Sequence, residues 1–319
     1  MDVAESRYSV TTSDGWELEV TNVRGDVQAR HPVLIVPGYA MNSTVLDYRP
    51  TGTSLVAALV AARYEVWSLN LRGTRRSRAL TASPGPVSLT AYIEEDLPAV
   101  LDLVRRETSV ESSDPFCLGT SLGGAIVYGH LARNRGAGMA GVVTIGAPLR
   151  WDVVHPLLRT VFGSRRLARI LPTKGAGRVA RAVMSPLAHV GLLGAYVNRR
   201  RLDPEHAEAM AATVEDPSPE LNAEIAEWMR TRDLYVSGTN VTRAMGAIDL
   251  PLLVVFANRD GLVPPPAARS AAAAWGGSDV EVLQVGQGAD WFGHADLFAT
   301  GDAPERVFEP IIRWLDARD

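Results

Sequence analysis

Four short runs of nearly unbroken apolar residues constrain this chain more than anything else in it. They are the cores of "HPVLIVPGYA" (31–40), "PFCLG" (115–119), "AGVVTIGAP" (140–148) and "LPLLVVFANRD" (250–260). Such runs are too short for typical helices and too apolar for strands wet on one face, so they predict strands buried on both sides. Two further strand patterns, "YEVWSLNLRG" (64–73), between the first two runs, and "VEVLQVG" (280–286), after the last, keep the same rhythm. Segments of helical spacing intervene at 53–63, 89–107 and after residue 121, and a last one closes the chain at 304–318. In the second, Leu97, Val100, Leu101 and Val104 share one side. Strands alternating with helices predict an α/β fold with a mostly parallel central sheet and helices on both faces. An N-terminal hairpin, 7–24, turns at Asp14-Gly15.

Residues 150–235 break that rhythm. They carry no convincing strand, and Pro172, Pro186 and Pro204 interrupt their helical runs. The reading is a helical cap, 150–235, inserted into a core made of 1–149 and 236–319; a chain of 319 residues has room for both. The insertion is split in charge. Arg150 to Arg201 holds eleven basic residues and one acid, Asp152, whereas Asp203 to Glu227 holds eight acids and no base. Either the two halves lie against each other or form solvated faces, or the segment is a surface for anionic partners or membranes.

"FCLGTSLGGA" (116–125) sets Ser121 between glycines, after a strand and before a helix. A strand, a sharp turn and a helix are what a nucleophile elbow requires. A serine hydroxyl is a poor nucleophile at neutral pH; it needs a general base, and the base needs an orienting carboxylate. Asp260 lies just past the fifth buried strand and His294 in the loop after the sixth, where carboxyl-end loops of a parallel sheet converge. Asp152, after the fourth strand, is a competing orienter. Of the six histidines, only His294 follows the last strand. Asp296 is read as a brace for that loop, and Cys117 as inert packing in a buried strand.

The segments "VPGYAMN", "LNLRG", "GTSLGGA", "FANRDGLVPP" and "WFGHADLF", taken in order, resemble the α/β-hydrolase superfamily, specifically its serine esterases and lipases with a helical cap. The resemblance implies Ser121 as nucleophile, Asp260 as orienter, His294 as base, and the backbone N–H groups of Tyr39 and Leu122 as the oxyanion hole. Where the family usually has His-Gly in the oxyanion loop, this chain has Pro37-Gly38. The implied activity is hydrolysis of short-to-medium acyl esters through an acyl-enzyme on Ser121, with no metal and no organic cofactor. An acyltransferase or a cofactor-free haloperoxidase would use the same triad, and some proteins of this fold are ligand receptors.

A net charge of −4 gives no support to nucleic-acid binding. The single cysteine excludes an intrachain disulfide framework and cysteine-based zinc sites. No apolar leader opens the sequence, and "LAHVGLLGAYV" (187–197) is shorter than the roughly 20 residues of a membrane span. The expectation is a soluble cytoplasmic protein acting on a small-molecule ester. Leu192 and Leu193 in that apolar stretch, together with Trp291, are candidates for the substrate pocket. The oligomeric state is left open.

Overall fold

The computed structural model describes residues 3–48, 52–111, 114–136, 138–170, 175, 196–198, 200–201 and 212–319. The strands are β1 (Val3–Thr11), β2 (Trp16–Gly25), β3 (Pro32–Val36), β4 (Glu65–Leu69), β5 (Arg78–Ala79), β6 (Phe116–Thr120), β7 (Gly141–Ile145), β8 (Tyr235–Val236), β9 (Thr239–Asn240), β10 (Leu252–Ala257) and β11 (Val280–Val285). The main sheet runs β1-β2-β4-β3-β6-β7-β10-β11, with β5 on the side of β2. From β4 to β11 every neighbouring pair is parallel; the N-terminal hairpin joins antiparallel through β2 and β4.

The apolar runs follow from burial on both faces. Leu34 and Val36 belong to one hydrophobic cluster and Val33 and Ile35 to the other, with the sheet between them. Cys117 sits fully buried in β6, where burial drives its thiol well above the usual range. The chain leaves β3 for β4 on one side and returns to β6 on the other. The loops after β3 and β6 therefore diverge and open a crevice at the carboxyl edge of the sheet.

The expected helix over 89–107 is present but not uniform: a wide π turn, Tyr92–Asp96, precedes the regular stretch Leu97–Glu107. The C-terminal helix does the same, with Pro304–Phe308 before Glu309–Asp316. In each case a proline, Pro98 or Pro310, stands two residues past the π turn. Proline lacks an N–H and its ring crowds the carbonyl four residues back, and the wider turn relieves that conflict.

Between β7 and β10 the described residues form the helices Pro156–Val161, Arg165–Arg169 and Pro219–Thr231 before the small β8–β9 hairpin. Among the described residues, part of the basic half meets part of the acidic half. Arg165–Arg169 packs on Pro219–Thr231, and Arg169 Nε donates to Glu220 at 3.1 Å. The segment is also stitched to the rest of the fold. Met41 bridges Val214, Asn42 N donates to Thr213 O at 3.0 Å, and Glu215 N donates to Ala40 O at 2.8 Å. Glu224 accepts from Thr90 Oγ1 at 2.8 Å, and Ser218 Oγ donates to Val87 O. Among the described residues no helix is long and apolar enough to cross a membrane.

Candidate active site

Ser121 stands between β6 and the helix Leu122–Asn134 with φ 50° and ψ −120°, a conformation that L-residues rarely adopt. The turn is tight because its neighbours are glycines. A Cβ on Gly119 would lie 2.5 Å from Gly124 Cα, and one on Gly123 would lie 2.1 Å from Val36 O. The second contact seats the start of the helix directly on the end of β3. The Pro37–Tyr39 loop is thereby held beside Ser121, and a Cβ on Gly38 would be 3.1 Å from Ser121 Cβ.

His294 and Asp260 meet as the topology predicts. His294 Nδ1 is 2.6 Å from Asp260 Oδ2, and both side chains are buried. The other oxygen, Asp260 Oδ1, accepts from the N–H groups of Leu262 and Val263, both at 2.8 Å. With the carboxylate accepting at Nδ1, the imidazole proton sits there and Nε2 is left as the basic nitrogen. The rival Asp152 is exposed and bonded to Arg150 at 2.8 Å. His130 is buried in the helix Leu122–Asn134, and burial depresses its pKa to about 4.

The serine and the histidine are brought together at the end of β7. Ser121 N donates to Ile145 O at 2.8 Å. A Cβ on the next residue, Gly146, would lie 3.0 Å from His294 Cε1. Ser121 Oγ and His294 make no direct hydrogen bond. The N–H groups of Tyr39 and Leu122, the expected oxyanion donors, have no acceptor among the described residues. The Tyr39 phenol points away from that role: it donates to Asn222 Oδ1 at 2.5 Å, and burial raises its pKa. Loop support that a His-Gly pair would supply comes here from Asn222 and residues 213–215.

Asp296 braces the histidine loop from beneath. Its Oδ2 accepts from Gly293 N at 2.6 Å and from Asn198 N at 2.9 Å. Its Oδ1 is buried with no partner among the described residues, and burial raises the pKa to about 6. Tyr196 and Asn198 complete the brace. Ala295 N donates to Tyr196 O at 2.9 Å, and the Tyr196 ring lies 5.9 Å from the imidazole. Neither residue, nor Asn222, is marked in the sequence by spacing or motif. Trp291 is half-buried, its carbonyl accepting from Asn198 Nδ2 at 2.8 Å, and it borders a polar cleft with Arg200, Arg201 and Asp302. Leu192 and Leu193 lie outside the described residues. No group of three or more His, Cys, Asp or Glu side chains that could hold a metal ion occurs among the described residues.

Comparison with known proteins bears on the same frame. The esterase from Thermogutta terrifontis superposes with a TM-score of 0.66 at 22% identity, covering 98% of this chain and 99% of that one. The esterase RhEst1 from Rhodococcus gives 0.64 at 18% identity over 98% and 100%. A monoacylglycerol lipase from Paleococcus ferrophilus gives 0.58 at 17% identity over 100% of each. No curated protein matches the chain. At such identities the superpositions establish the fold, the α/β-hydrolase fold. A family model described as serine aminopeptidase, S33, matches residues 27–288, most of the chain, and the protein belongs to that family of α/β hydrolases.

Proposed function

We propose that this hydrolase cleaves carboxylic esters of short-to-medium acyl length through a covalent acyl-enzyme on Ser121. The observation that carries the reading is the buried 2.6 Å contact of His294 Nδ1 with Asp260 Oδ2, set at the same strand end as the serine elbow. Ser121 Oγ attacks the ester carbonyl while its proton passes to His294 Nε2. The N–H groups of Leu122 and Tyr39 take the oxyanion. His294 then returns the proton to the departing alkoxide, leaving an alcohol and an ester on Ser121. Water enters, gives its proton to Nε2 and attacks the acyl carbon; collapse frees the acid and restores the serine hydroxyl. Asp260 keeps Nδ1 protonated and stabilises the imidazolium that forms twice per cycle.

Residues 150–235 serve as a cap, with Leu192, Leu193 and Trp291 as the proposed walls for the acyl chain. The superposed proteins described as esterases and a lipase favour esters. The family's description as an aminopeptidase keeps amides as a second reading, since the same groups would transfer an acyl unit from either. The protein should hydrolyse p-nitrophenyl acetate and butyrate faster than alanine p-nitroanilide. Ser121→Ala should lose at least three orders of magnitude in turnover and keep its circular dichroism. Undiminished ester turnover in a folded Ser121→Ala protein would remove the serine from the mechanism; faster anilide cleavage would select the peptidase reading.

A further inference from the structure

Beyond the oxyanion loop the segment between β7 and β10 forms a groove of about 390 Å³, within the size range of small-molecule sites. Its apolar lining includes Trp151, Phe162 and Met229. Its charged lining is lopsided: Arg159, Arg230 and Arg232 against one acid, Asp152. That acid is engaged by Arg150 at 2.8 Å, and Arg230 is engaged by Glu227 at 3.0 Å. Arg159 and Arg232 have no ion-pair partner among the described residues. Two guanidinium groups without an ion-pair partner among the described residues thus border a groove whose lining is partly apolar. The groove is not remote from the chemistry. The Phe162 ring stands edge-on to Tyr39 at 6.1 Å, and Tyr39 carries one of the two proposed oxyanion donors.

We propose that this groove is a subsite for an anionic head group on an apolar stem, so that the hydrolase takes amphiphilic esters with a carboxylate or phosphate remote from the scissile bond. The proposal rests on the ester-hydrolase reading for its place in catalysis and on the groove alone for binding. The apolar lining contacts the stem, and the free arginines meet the charge. Guanidinium groups match carboxylate and phosphate oxygens in a planar two-point geometry that lysine cannot offer.

The test measures inhibition of p-nitrophenyl acetate hydrolysis by three probes of equal stem: octanol, octanoate and octyl phosphate. At low ionic strength at least one anion should inhibit about tenfold more tightly than octanol, as expected for a charge-assisted hydrogen bond. Which anion is tighter identifies the head group. The double variant Arg159→Ala, Arg232→Gly should abolish the advantage, leaving octanol inhibition and acetate turnover unchanged. Arg232 has φ 66°, where glycine is at ease, so that replacement should not lower the melting temperature. Equal inhibition by all three probes, or an anion advantage that survives the double variant, overturns the subsite. Calorimetric titration of octyl phosphate into Ser121→Ala protein reads the groove without turnover. About tenfold tighter binding there than with all three substitutions supports the proposal even if the ester reading fails, and equal binding overturns it even if that reading holds.

Discussion

At Asp260 the difference between a turn residue and an orienter comes down to where each oxygen points. One accepts from Leu262 and Val263, as in any Asx turn; the other is committed to His294. Asp260→Asn would keep the turn and offer the imidazole an amide in place of an acceptor, selecting the wrong tautomer. Turnover should fall by several decades, about four being the loss seen for the equivalent change in one serine protease. Asp152→Asn, which loosens only an exposed ion pair with Arg150, should change turnover less than twofold. Steady-state kinetics on the two purified variants checks both, and a reversal of their order would move the orienter to Asp152. At this scale the sequence is legible where residues follow strand ends, as Asp260 and His294 do. It is silent about Tyr39 and Asn222, 183 positions apart, or Asn198 and Asp296, 98 apart. Those pairs are made by the path of the segment between β7 and β10, and no local period records that path.

Among elements, the helix Leu122–Asn134 carries the tightest constraint. Its first turn touches backbone at Val36, whereas farther along a Cβ on Gly129 would meet the tip of a side chain, Ile93 Cδ1, at 2.4 Å. A side-chain tip can rotate away and a strand carbonyl cannot. Gly123→Ala should therefore lower the melting temperature by several degrees and reduce kcat at least tenfold, because the helix start and the oxyanion loop must part. Gly129→Ala should cost stability alone and leave kcat within about twofold. Differential scanning calorimetry and ester kinetics on the pair separate the two effects; equal loss of kcat in both would mean that the contact with β3 does not set the oxyanion geometry. The strands and helices themselves were legible because alternation of short apolar runs with helical spacing is a local signal. The two π turns were not, since a proline inside a helical pattern marks a conflict without saying how the backbone resolves it.

For the whole molecule, two buried groups pull the pH dependence of stability in opposite directions. Burial lowers the pKa of His130 from 6.5 to about 4, so the unfolded chain binds its proton first. The stability it lends is present above pH 6.5 and is lost as pH falls towards 4. Burial raises the pKa of Asp296 from 3.8 to about 6, so the folded chain holds the proton longer. Its contribution is most favourable below pH 3.8 and is lost as pH rises through about 6. Between pH 7 and pH 4.5, His130→Gln should lose less stability than the wild type, and Asp296→Asn should lose more. Urea unfolding midpoints at the two pH values provide the check, and identical shifts in all three proteins would show that neither group titrates differently on folding.

The stitching of the β7–β10 segment has a consequence for modularity. Residues 213–215 pair with the loop that carries Tyr39, and residues 196–198 bond to the loop that carries His294. The segment is therefore not a cassette clipped in at its two ends, because it supplies part of the scaffold for both loops. A chimera that exchanges the segment at the sheet boundaries would import a foreign surface and discard local supports of the proposed base and of the proposed oxyanion loop together. On the proposed mechanism, a graft that preserves catalysis must carry both sutures across with the residues proposed to face substrate.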